Sequence, residues 1–150
     1  MRYQTDTYSC GAAAVVNALR ALGKRISERR VRALSGTDPD RGTGESGIVT
    51  AVRGLGFSAT AFESSNSQEA WSWISENVRS GRAVIVAVWN HEHWMTVVGM
   101  VGDRTIMFDS ARTEKNKKEN GVHSLSRGDF LRKWRHSVKD VYFGISVSKR

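Results

Sequence analysis

The sequence predicts an α+β fold. Segments of helix-forming residues, with apolar positions three and four apart, fill most of the first half up to "NVRSG". Runs rich in Val, Ile and aromatic residues fill most of the second half. The two kinds are segregated rather than alternating, which argues against a parallel α/β sheet. At 150 residues the chain reads as one domain, 1–150, long enough to enclose a hydrophobic core.

The elements follow in order. After Cys10, "GAAAVVNALRALG" is rich in helix formers; Val15, Leu19 and Leu22 share a face and Gly23 closes the helix. "SERRVRALSG" predicts a second helix starting at Ser27 and ending at Gly36. "TDPDRGTG" is a turn-rich loop, and "ESGIVTAVRGLG" a third helix with Ile48, Val52 and Leu55 on one side. "FSATAF" alternates apolar and polar residues and predicts a short strand. A fourth helix, capped by Asn66 or Ser67 and closed by Gly81, carries Trp71 and Trp73 on different faces. "AVIVAVW", "HWMTVVGM", "RTIMFDS" and "VYFGISV" are the remaining strands, with a short helix, "RGDFLRKW", between the last two. "RTEKNKKENG" is expected to be an exposed loop.

Composition excludes several classes. No apolar run approaches the ~20 residues that span a bilayer. No apolar signal region follows Met1-Arg2-Tyr3-Gln4, so a cytoplasmic location without membrane association is expected. One cysteine rules out an intramolecular disulfide and a CxxC knuckle, and a lone thiol suits a reducing compartment. The formal charge of +8 favours acidic partners, nucleic acid among them. The basic residues are nonetheless scattered through "GKRISERRVR", "RTEKNKKEN" and "RKWRHSVK". No RNA-binding aromatic signature, zinc-finger spacing or Gly-rich phosphate loop accompanies them, so solvated surface is the preferred reading over a nucleic-acid site.

The chemistry gathers around Cys10. It stands where a loop becomes a helix, at the positive end of the helix dipole, and both the dipole and the free N–H groups there favour thiolate. The small residues Gly11 to Ala14 would let a substrate backbone approach. A small buried hydrophobe is the competing account of such a cysteine.

A thiolate nucleophile needs a base, and the base needs an orienting group. "NHEHWMTVVG" offers His91 and His93, and "IMFDS" offers Asp109 at the end of the next strand. If Val101-Gly102-Asp103 forms a three-residue turn, Met95 faces Asp109. His93 is then its diagonal neighbour at ~7 Å between backbones. A two-residue turn would move Asp109 to the face of Trp94 unless a bulge intervened. Gln4 would complete the set, its amide joining the Cys10 backbone N–H as a second donor to an oxyanion. His91, His93, Cys10 and Asp109 could instead bind zinc, although no close-spaced cysteine pair or HExxH motif supports that. Trp89 and Trp94 wall the cleft or belong to the core, and the core is preferred for both.

Gln4, Cys10-Gly11, His93-Trp94 and Asp109, in this order, resemble the double-glycine leader peptidases. These are papain-like cysteine peptidases that process bacteriocin precursors. "GTDPDRGTGESGIVTAVRGLGF" and "DFLRKW" extend the likeness over nearly the whole chain, less specifically. The resemblance implies a papain-like fold, with a helical half bearing the cysteine packed on an antiparallel sheet bearing His and Asp. It also implies a Cys10–His93–Asp109 triad, Gln4 in the oxyanion hole, a peptide or protein substrate and no cofactor or metal. Ala12 and Ser110 stand where the family commonly has proline. Deamidation, acyl transfer, or a basic binding module that leaves its thiol unused are the alternatives.

Overall fold

The computed structural model describes residues 1–150. Three helices come first: α1 (Cys10–Ala21), α2 (Glu28–Ser35) and α3 (Glu45–Gly54). Strand β1 (Phe57–Ser64), helix α4 (Ser67–Arg79) and strands β2 (Ala83–Val88), β3 (His93–Val101) and β4 (Arg104–Phe108) follow. A short helix α5 (Glu114–Lys118), strand β5 (Val122–Leu125), helix α6 (Arg127–Trp134) and strand β6 (Tyr142–Lys149) end the chain. No helix is long and apolar enough to cross a membrane.

Local chemistry sets the helix ends. The Ser27 side chain accepts from Arg30 N–H at 3.2 Å, and Gly36 stops α2 in the left-handed region at φ 69°. Of the two candidate caps for α4, Asn66 is the one used, accepting from Glu69 N–H at 2.9 Å. Both termini of α2 fall where the sequence puts them.

The strands form one antiparallel sheet in the order β1-β6-β2-β3-β4-β5. All six residues of β2 are buried, which explains why "AVIVAV" is continuously apolar instead of alternating. Helices α1 to α3 cover one face, packing Val15, Leu19, Ile48 and Val52 against Ile85, Ile145 and Val147. Helices α4 and α6 cover the other, packing Ile74, Phe130 and Trp134 against Val84, Val86, Met95 and Met107. Each fully buried side chain of this size contributes about 1.5–3 kcal/mol, so both faces are held strongly. The predicted α+β architecture is borne out, with the addition that the later helices cover the sheet's second face.

One expectation is corrected, and one open alternative is decided. "RTEKNKKENG" is not simply an exposed loop: it contains α5, whose Asn116 is buried, and leads into the unforeseen β5. The β3–β4 turn is the two-residue Gly102-Asp103, with Val101 paired to Arg104. A bulge at Val98 then shifts the register, so that Val97 pairs with Met107 and Thr96 with Phe108. Continuing that register sets Asp109 opposite Met95. The bulge does what an odd turn would have done.

Candidate active site

Cys10 is the first residue of α1, and the Ser9 side chain does not cap the helix. The Ser9 hydroxyl instead exchanges hydrogen bonds with the Asp6 backbone, at 3.0 and 2.9 Å. The helix N-terminus is therefore left to act on the thiol. Gly11 is required by close packing: a Cβ there would lie 2.5 Å from Thr43 Cβ and 3.2 Å from Trp94 Cδ1. Ala12, Ala13 and Ala14 are buried, and Ala14 C=O accepts from the Thr96 hydroxyl at 2.9 Å. These small residues let α1 lie close on β3.

His93 opens β3, after a turn in which Trp89, Asn90 and His91 all have positive φ. Its Nε2 lies 2.8 Å from Asp109 Oδ1, which also accepts from Ala111 N–H at 3.0 Å. Both side chains are buried. With Nε2 committed to Asp109, Nδ1 is the nitrogen left to act on Cys10, whose thiolate His93 favours.

Electrostatics couples the three. Burial pushes the Cys10 thiol up, but the hydrogen bond with His93 and those from Trp94 and Gly11 N–H outweigh it and hold the thiol below its ordinary value. Burial pushes His93 down, yet its bonds to Asp109 and Cys10 raise it to about 9. Burial likewise pushes Asp109 up, while His93 and the Ala111 N–H bring it below the ordinary carboxylate value. The two shifts both favour a thiolate beside an imidazolium. Such a thiolate can attack a carbonyl carbon, and such an imidazolium can protonate the group that leaves it.

Gln4 is buried beside these groups. Its backbone N–H donates to Ser110 C=O at 2.9 Å, and its Oε1 accepts from the Ser110 hydroxyl at 2.9 Å. Its Nε2 donates to Asp6 C=O at 2.8 Å and, more loosely, to Thr7 C=O at 3.4 Å. A cleft of about 400 Å³ runs beside His93 between Gln4–Thr7 and Ala111–Thr113. The structure thus joins His93 to Asp109, sets Gln4 on the same cleft as His93, and couples Cys10 electrostatically to His93.

His91 belongs elsewhere. It lies in the turn before β3, not on the strand, with its ring 4.8 Å from His136 and near Phe143. Burial, then His136 and Lys139, push it below the ordinary histidine value. No group of three or more His, Cys, Asp or Glu side chains is placed to hold a metal ion. Trp89 is also not core: 48% exposed, it stacks on His93 at 4.9 Å with Lys133 Nζ 4.8 Å from its ring. Trp94 is half-buried and donates from Nε1 to Thr43 C=O at 3.0 Å. It also lines a second groove of about 340 Å³ with Ala87, His91 and Phe143, so it serves as wall as well as core. Sequence reasoning missed Ser110 as the partner of Gln4, and Asn116 and His123, which surround Asp109. Only one of two asparagines in a charge-rich run, and a lone imidazole just after it, marked the last two.

The model of the peptidase C39 family matches residues 1–138. The lactococcin-G-processing and transport ATP-binding protein LagD of Lactococcus lactis is 32% identical over 116 residues, 77% of this chain and 16% of LagD. The chain thus spans about a sixth of that relative's length. The peptidase domain of Streptococcus ComA superposes with a TM-score of 0.74 at 20% identity, covering 99% of this chain and 97% of the other. A double glycine motif protease from an AMS/PCAT transporter, in complex with the leader peptide, gives 0.68 at 19% identity, covering 98% and 89%. The fold implied by the sequence resemblance is the one observed.

Proposed function

The chain belongs to the peptidase C39 family, and from that membership we propose that residues 1–150 form one cysteine peptidase domain cutting peptide bonds through a thioester. What supports this reading is the 2.8 Å contact of His93 Nε2 with Asp109 Oδ1, beside a Cys10 thiol held below its ordinary value and an imidazole raised to about 9.

The Cys10 thiolate attacks the carbonyl carbon. His93 gives its Nδ1 proton to the leaving amine and then takes one from the water that opens the thioester. Asp109 keeps the ring oriented through Nε2. The oxyanion is met by the Cys10 backbone N–H and by Gln4 Nε2. The long 3.4 Å bond to Thr7 C=O is the one Gln4 can give up without losing its anchor on Asp6.

The substrate class we propose is a peptide with a double-glycine-type leader. LagD is named for processing lactococcin G, and a structural neighbour was solved with a leader peptide. The cleft beside His93 contains Arg112, while its one carboxylate, Asp6, pairs with Arg32 at 2.7 Å. Together with the +8 charge, this favours acidic residues near the cut and makes nucleic acid unnecessary as a partner. The same thioester could pass to an amine or arise from a side-chain amide.

Mass spectrometry of Gly-Gly leader peptides incubated with wild type and with Cys10→Ala tests the reading. Cleavage after the glycine pair that vanishes in Cys10→Ala is the expected result. Deamidated or amine-transferred products would reassign the reaction, and no Cys10-dependent product would reject it.

A further inference from the structure

The chain between Thr113 and Leu125 folds over the back of Asp109. Thr113 caps α5 by accepting from Asn116 N–H at 3.2 Å, and Asn116 is 4% exposed. Asn116 Nδ2 donates to Asp109 C=O at 2.9 Å and to Ala111 C=O at 2.6 Å. Two carbonyls can be served only by the amide nitrogen, which fixes the amide's orientation. Oδ1 therefore faces His123 Nε2, 2.6 Å away, and Nε2 must be the donor. His123 Nδ1 faces Glu119 Oε2 at 2.7 Å. The same Nε2 stands 3.9 Å from Asp109 Oδ2, the oxygen His93 leaves unused.

The main chain closes the grip. Asp109 N–H donates to Gly121 C=O at 2.8 Å, and a Cβ on Gly121, at φ 69°, would lie 2.8 Å from Asp109 C=O. Only glycine allows that approach. The titratable groups facing the carboxylate are His93, His123 and, from α6, Lys133.

We infer that Asn116 and His123 are positioning residues for Asp109, a clamp that holds its carboxylate against His93. The inference rests on reading Asp109 as the orienting acid of the triad. Without His123, Asn116 Oδ1 loses its partner in a buried place. The amide is then free to turn, and the carbonyls of Asp109 and Ala111 lose their shared donor. A looser Asp109 holds the His93 proton less well, so Cys10 becomes a weaker thiolate.

The test needs no substrate. The rate of Cys10 alkylation by iodoacetamide is followed against pH for the full chain, with melting temperature measured alongside. His123→Ala is expected to move the acid limb up by about 0.5–1 pH unit. His123→Gln, whose amide can still donate to Asn116, leaves it in place. An unmoved limb in His123→Ala, a downward shift, or an equal shift in His123→Gln overturns the clamp. Should His123→Ala not fold, Glu119→Ala, on the exposed side of the ring, must move the limb upward too, and its failure to do so is equally decisive. His93→Ala is the reference: if that limb does not move, the triad itself is rejected, a separate outcome.

Discussion

Asp109 Oδ1 lies 2.8 Å from His93 Nε2 although the two residues are diagonal, not direct, neighbours across β3 and β4. The bulge at Val98 makes this possible. With the two-residue turn and no bulge, Asp109 would stand opposite Thr96, on the other face of the sheet. One extra residue on β3 returns Met107 and Asp109 to the face of Met95 and His93.

Deleting Val98 should therefore be tolerated at the site. The pairs Val97–Met107 and Thr96–Phe108 survive the deletion, so the His93–Asp109 bond survives too. Deleting Phe108 instead draws Asp109 into its place opposite Thr96 and should cost the site its thiolate. Alkylation of Cys10 near neutral pH reads both. Equal loss in the two variants would show that the bulge does more than set register.

The proton balance gives a second expectation. Turnover against pH should be a bell whose acid limb follows Cys10, below the ordinary thiol value, and whose alkaline limb falls near 9 as His93 loses its proton. Alkylation needs only the thiolate and should show the acid limb alone. His93→Ala should move that limb toward the ordinary thiol value of 9.0. Stability follows by linkage. The raised His93 contributes fully below 6.5 and is lost as pH rises through about 9. The depressed Asp109 contributes above 3.8 and is lost as pH falls below it. Alkylation that tracks an ordinary thiol in wild type would dissolve the ion pair.

Much of this was legible in the chain. Helical spacing and Gly stops gave α1 to α4, because each buries one stripe and ends on a residue suited to its cap. The order Gln4, Cys10, His93, Asp109 was legible as chemistry. What escaped was whatever depends on register or on a few residues. The bulge has no composition signal, since Val98 differs in nothing from Val97. Helix α5 and strand β5 are too short to show a period, and Lys115, Lys117 and Lys118 gave the run the look of solvated loop. Trp89 was expected in the core by its type, but three consecutive positive-φ residues turn it outward over His93.

Gly11→Ala should destabilise the fold around the site. Its methyl would fall on Thr43, itself hydrogen-bonded to Thr37 at 2.6 Å and buried. Overpacking of this kind costs about 1–3 kcal/mol, and each kcal/mol is worth about 2–4 °C of melting temperature in a domain of this size. Gly54→Ala, at the end of α3 with nothing nearer than 3.9 Å, is the control and should melt no lower than wild type. A Gly11→Ala protein that melts with wild type would mean that α1 can shift away from Thr43 at no cost.

Ser110 and Gln4 supply the last expectation. On the proposed reading, Gln4→Ala removes the oxyanion donor and leaves the thiolate pair untouched. Turnover should fall about a hundredfold while Cys10 alkylation stays near wild type. Ser110→Ala is the sharper test, because it keeps Gln4 and removes only the hydroxyl that fixes its Oε1. Nε2 would still be held by Asp6 C=O, but the amide could turn, and the donor would reach the oxyanion less often. A turnover loss smaller than that of Gln4→Ala, again with unchanged alkylation, is expected. A double variant that loses no more than Gln4→Ala alone would show that Ser110 acts through Gln4. If Ser110→Ala slows alkylation as well, the hydroxyl supports Asp109 rather than the amide, and the Gln4–Ser110 contact would then be packing beside the triad, not part of the oxyanion site.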